Sequence, residues 1–212
     1  MKLDKKSLKL YAVTDRFWLK EGETLEEKVR QAIEGGATFV QLREKKLEEE
    51  AFYELALKVK AVCSEYHVPF VIDDNVVLAK KVGANGVHVG QSDMELENAR
   101  KILGPEAIIG VSAQTVYQAL EAEAHGADYL GVGAVFATAT KNDADDVSHD
   151  TLQEICTAVK IPVIAIGGIT EENLPKLKGR GIDGIAVVSA IFGQADVKKA
   201  TKRLDDILTE IL

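Results

Sequence analysis

At 212 residues, 46% of them hydrophobic, the chain is long enough to bury a substantial core in one large domain or two small ones. Its 26 Lys and Arg against 34 Asp and Glu give a net charge of −8, which argues against nucleic acid or an anionic membrane as a partner. Cys63 and Cys156 lie far apart and exclude a disulfide scaffold, no apolar run approaches the roughly 20 residues that cross a bilayer, and Met1-Lys-Leu-Asp-Lys-Lys lacks a signal-peptide core, so a reducing cytoplasm is expected.

Strand-like runs fall at 8–13, 39–42, 70–72, 86–89, 108–111, 129–132, 163–166 and 184–188. Helix-like patterns lie between and after them, at 24–34, 48–66, 76–81, 95–102, 116–125, 151–159, 171–177 and 196–212. Thr24 followed by Glu27 reads as a capping box, with Leu25, Val29 and Ile33 on one face. Gly35-Gly36, Gly83, Gly126 and Gly181 stand where helices must stop before the next strand. Strands separated by helices run parallel, because each helix carries the chain back to its starting edge. About eight such units without a linker fit a closed α/β barrel, the (β/α)8 or TIM barrel, formed by a single domain over 1–212. The rival doubly wound sheet would need a Gly-x-Gly-x-x-Gly turn after 8–13, and none is there.

In such a barrel the chemistry gathers at the C-terminal ends of the strands. The clearest end is Tyr129 to Lys141, where an apolar run passes over glycines into Thr138, Ala139, Thr140 and Lys141, donors suited to phosphate oxygen. The second strand ends in Gln41-Leu42-Arg43-Glu44-Lys45, so Gln41, Arg43 and Lys45 face one way if the extended backbone persists. The third ends in Asp73-Asp74 and the fourth in His88-Val-Gly-Gln-Ser-Asp93. Carboxylates at neighbouring strand ends ask for a cation between them, and one or two carboxylates with phosphates and water is how proteins hold Mg²⁺, which makes Asp74 and Asp93 the metal candidates; the other reading is that these Asp residues cap the helices that follow. His88 reads either as a hydrogen-bonded interior histidine or as a catalytic base. Ser112 ends the fifth strand with a hydroxyl. Gly167-Gly168 after the seventh, with Val188 and Ser189 after the eighth, expose backbone N–H groups where barrels of this class seat phosphate. Two phosphorylated ligands meeting at one mouth, one leaving as metal-bound pyrophosphate, would use all of these groups.

Taken together and in order, Leu10-Tyr-Ala-Val-Thr-Asp-Arg16, Val40-Gln-Leu-Arg-Glu-Lys45, Gly86-Val-His-Val-Gly-Gln-Ser-Asp93, Gly110-Val-Ser112, Gly126–Gly133, Phe136-Ala-Thr-Ala-Thr-Lys141, Ile166-Gly-Gly-Ile169 and Val188-Ser-Ala-Ile191 resemble the thiamine-phosphate synthase family over nearly the whole chain. The resemblance implies a transferase that joins hydroxymethylpyrimidine diphosphate to thiazole phosphate and releases pyrophosphate by a dissociative route. It assigns Gln41, Leu42, Arg43, Glu44, Lys45, Asp73, Ser112 and Lys141 to the pyrimidine diphosphate. Thr138, Ala139, Thr140, Gly168, Val188 and Ser189 would hold the thiazole phosphate, and Asp74 and Asp93 the Mg²⁺. Arg43, Lys45, Lys141 and Ser112 would be the catalytic groups.

Three departures stand out. Asp73 replaces a usual Asn and puts a negative charge beside a polyanion, so it either helps to hold the metal or weakens substrate affinity. Ala134 and Ala137 replace prolines in the strand-six loop, and Gln114 replaces a common His. The alternatives are a thiazole tautomerase-like relative, which tends to lack the metal side, and a non-catalytic thiazole-phosphate sensor. The sequence does not fix an oligomeric state, and a homo-oligomer is compatible with it.

Overall fold

The computed structural model describes residues 3–91, 95–137 and 147–212. The strands are β1 (Leu10–Val13), β2 (Phe39–Leu42), β3 (Phe70–Asp73), β4 (Gly86–Val89), β5 (Ile108–Ala113), β6 (Tyr129–Val132), β7 (Val163–Ile166) and β8 (Gly184–Val187). Each pairs in parallel with the next, and β8 pairs with β1, closing the expected barrel. The helices are α1 (Leu25–Glu34), α2 (Glu49–Glu65), α3 (Val76–Val82), α4 (Leu96–Leu103), α5 (Val116–Ala124), α6 (His149–Ala158), α7 (Ser189–Phe192) and α8 (Val197–Ile211).

The two-residue period of a strand divides the core into two layers. Leu10, Ala12, Val40, Leu42, Ile72, Val87, Ile109, Val111, Leu130 and Val132 turn outward, into one cluster with the buried faces of the helices. Tyr11, Val13, Phe39, Val71, Ile108, Tyr129, Ile164 and Ala186 turn inward and fill the barrel. A side chain at the C-terminal end of an inward row therefore faces the mouth. Local signals set the helix ends. The Thr24 hydroxyl accepts from the Glu27 N–H at the start of α1, and the Asn75, Thr115, Ser148 and Asp196 side chains do the same for α3, α5, α6 and α8.

Three elements differ from the sequence expectation. The helix expected at 171–177 is only a 3₁₀ turn, Leu174–Leu177, because Pro175 lacks the N–H an α-helix would need there. Residues 8–9 are not strand, since Asp4 caps a 3₁₀ turn over Lys5–Leu8. α7 is a short helix that the sequence pattern did not separate from β8. Two strands also run further than expected, so Asp73 and Ser112 lie inside β3 and β5.

Cys63 is on the buried face of α2, and burial pushes its thiol up to about 12, while Cys156 is pushed up to about 11. Thiolate is the reactive form, so both thiols are expected to resist iodoacetamide in the native protein at about pH 8 and to react within minutes once denaturant is added. Rapid labelling of Cys63 in the native protein, read by mass spectrometry, would contradict that packing.

Candidate active site

The inward rows of the strands open into a cavity of about 350 Å³ at the C-terminal end of the barrel. Its wall includes Gln41, Arg43, Lys45, Asp73, Asp74, Ser112, Gly168, Val188 and Ser189, all expected from the sequence, although they are spread over five strand ends. β2 stops at Leu42, yet Arg43 and Lys45 keep to the cavity side. The Thr14 hydroxyl holds that segment by accepting from the Arg43 N–H at 3.1 Å.

Leu42 and Glu44 do not line the cavity. The Leu42 side chain belongs to the layer between strands and helices, as its place in the alternation requires. The Glu44 carboxylate is turned to Arg16, which donates to it from Nε at 2.6 Å and from Nη2 at 3.0 Å. Asp93, Thr138, Ala139, Thr140 and Lys141 lie outside the described residues.

Two carboxylates and two cations crowd one side of the mouth. Asp73 Oδ2 is 3.3 Å from Lys45 Nζ and 3.7 Å from Arg43 Nε, and Lys45 also pairs directly with Asp74. Partial burial works against the charge on Lys45, but the Asp74 hydrogen bond and the charges of Asp73 and Asp74 outweigh it and raise its pKa. Lys45 is therefore a full cation at neutral pH. Asp74 takes a left-handed backbone, φ 58°, which Asp tolerates better than most residues. Among the described residues no group of three or more His, Cys, Asp or Glu could hold a metal.

On the opposite side, Gly168 (φ 62°) brings backbone to the cavity wall. A Cβ there would lie 2.4 Å from the Ala137 carbonyl oxygen and 2.5 Å from that of Phe136, so only glycine fits. Asn173 fixes the turn by donating to the Gly168 carbonyl at 2.8 Å.

Beneath the charged groups runs a chain of hydrogen bonds whose tyrosines the sequence did not mark. Gln41 Nε2 donates to Asp73 Oδ1 at 2.5 Å, and the Tyr11 hydroxyl donates to Gln41 Oε1 at 2.6 Å. Tyr11 and Tyr129 share a hydrogen bond of 2.8 Å between their hydroxyls. His88 then bridges Tyr129, at 3.0 Å from Nδ1, and the Ser112 hydroxyl, at 3.0 Å from Nε2. The interior-histidine reading of His88 accounts for these contacts. Burial raises the pKa of both tyrosines, so both stay protonated. Only the inward phase of β1 and β6 could have pointed to Tyr11 and Tyr129 from the sequence.

The family model for thiamine monophosphate synthase matches residues 10–191. The thiamine-phosphate synthase of Clostridium tetani is 50% identical over 201 residues, covering 95% of this chain and 96% of its own length. That of Ruminiclostridium cellulolyticum is 52% identical, covering 93% and 94%. The solved thiamine phosphate pyrophosphorylase of Pyrococcus furiosus superposes with a TM-score of 0.90 at 44% identity, covering 98% of each chain. With the barrel and the residues of its mouth, these likenesses show that the chain belongs to the thiamine-phosphate synthase family of transferases.

Proposed function

We propose that the chain condenses hydroxymethylpyrimidine diphosphate with thiazole phosphate to give thiamine phosphate and pyrophosphate. The observation that carries this reading is the single cavity bordered by Arg43 and Lys45 on one side and by Gly168, Val188 and Ser189 on the other. The first pair suits a diphosphate, and the backbone-rich second side suits a single phosphate. The bond from the pyrimidine methylene carbon to oxygen breaks first, and its electron pair leaves with pyrophosphate. The thiazole nitrogen then donates its lone pair to the pyrimidine-stabilised cation. Arg43 and Lys45, with Lys141 from the segment outside the described residues, stabilise the negative charge that builds on the leaving group. Ser112 and Gln41 orient the pyrimidine.

Asp74 offers hard oxygen donors beside that cationic pair, and so few protein carboxylates fit Mg²⁺, which takes its remaining ligands from phosphate and water. We assign the ion to Asp74 and Asp93, where it would neutralise charge on the diphosphate. Asn tolerates the left-handed backbone of residue 74, so Asp74→Asn is expected to fold normally and to need about tenfold more Mg²⁺ for half-maximal rate. An unaltered magnesium titration would count against the ligand assignment.

No described helix is long and apolar enough to cross a membrane. Charged phosphorylated substrates and free thiols accord with a cytoplasmic site of action. The direct test mixes both phosphorylated substrates with Mg²⁺ and measures thiamine phosphate by chromatography. Product formed in equal amount with pyrophosphate is expected; no product with thiazole-phosphate binding intact would favour a tautomerase or a sensor.

A further inference from the structure

The hydrogen-bonded chain across the barrel floor has a direction, and Asp73 sets it. A carboxylate ion-paired with Arg43 and Lys45 can only accept, so the Gln41 amide must turn its NH₂ to Asp73 and its oxygen to Tyr11. The Tyr11 hydroxyl has one proton and gives it to Gln41. Tyr129 must then donate to Tyr11, which leaves the Tyr129 oxygen to accept from His88 Nδ1. In a neutral imidazole protonated at Nδ1, the Nε2 lone pair takes the Ser112 proton.

We propose that Tyr11, Tyr129 and His88 are positioning residues that fix His88 as the Nδ1–H tautomer, so that Ser112 turns only lone pairs toward the cavity. Gln41 gives one amide hydrogen to Asp73 and has a second N–H to offer. Both line the cavity. A floor that presents an acceptor from Ser112 and a donor from Gln41 fits a ring edge carrying an amino group next to an unprotonated ring nitrogen, as in an aminopyrimidine. A ring with a carbonyl and a ring N–H in those places is refused, because it would leave mismatched groups buried. The pattern depends on residue 73 being Asp: an Asn there could donate or accept, and the direction would no longer be imposed. Tyr11 and Tyr129 are completely buried, so water does not compete for the central links of the chain, from Gln41 through the two tyrosines to His88. The choice of substrate edge rests on the proposed function; the tautomer does not.

Nitrogen-15 NMR of histidine-labelled protein reads the tautomer without turnover, with the His88 signals assigned by their loss in His88→Asn. The expected wild-type spectrum at about pH 8 shows Nδ1 protonated and Nε2 bare. An Nε2–H tautomer or an imidazolium spectrum would overturn the proposal. Tyr129→Phe removes the acceptor for Nδ1–H, and a shift of its His88 toward Nε2–H is expected; an unchanged spectrum would also overturn the proposal. In binding assays, a pyrimidine diphosphate lacking the amino group should bind wild type about tenfold more weakly than the parent compound. Ser112→Ala and Tyr129→Phe should shrink that ratio to about one, and a ratio unchanged in both would separate Ser112 from the amino group. If thiamine phosphate is not formed while His88 shows Nδ1–H, the reaction assignment fails and the directed chain stands.

Discussion

Lys45→Ala is expected to lower kcat/KM for the pyrimidine diphosphate by about 10²- to 10³-fold, the scale on which enzymes lose activity with one pre-set charge partner for a developing anion. The variant loses a cation and also removes the partner that pairs with both Asp73 and Asp74 beside the diphosphate. Roughly half of the Lys45 side chain is exposed, so its surface pairing contributes little to folding and the denaturation midpoint should hardly move. Steady-state kinetics beside a urea melt separate the two effects. Lys45→Arg should recover part of the rate, since it restores charge at the same reach but not the same geometry. A rate within twofold of wild type for Lys45→Ala would remove Lys45 from the leaving-group side.

Gly86→Ala should have the largest effect on stability, at about 3 kcal/mol or more, a large share of the roughly 5–15 kcal/mol that keeps a domain folded. Gly86 begins β4 in register with Ile108 of β5, and an added Cβ would overlap the Ile108 carbonyl oxygen. The obstacle is backbone, so no side-chain rotation relieves it, and the two strands would have to part where they enter a closed barrel. Circular dichroism with a denaturant titration should show either no folded protein or a strongly lowered midpoint. A midpoint within error of wild type would contradict the packing between β4 and β5.

The barrel was legible because helix and strand periods alternate without interruption, and because Gly83, Gly126 and their counterparts mark helix ends. Pro175 carried the signal for the one expected helix that shrank to a turn, but its weight depends on where the helix starts. At the site, Arg43 and Lys45 could be read from charge at a strand end. Leu42 and Glu44 came in with the motif that surrounds them, and the strand's own alternation turns Leu42 away, while the partner of Glu44, Arg16, lies 28 residues earlier. The Tyr11–Tyr129 contact spans 118 residues, so even with the inward phase of β1 and β6 in hand nothing local pairs the two tyrosines until the barrel closes. The role of Asp73 was open for the same reason. Its meaning lies in Gln41, Arg43 and Lys45, which reach it from a neighbouring strand.

A crystal structure of the protein with magnesium pyrophosphate decides most directly whether scattered strand ends form one leaving-group site. The account predicts diphosphate oxygens within hydrogen-bonding distance of Arg43 and Lys45, with the metal on Asp74. Pyrophosphate bound instead against Gly168 and Ser189, or outside the cavity altogether, would contradict it.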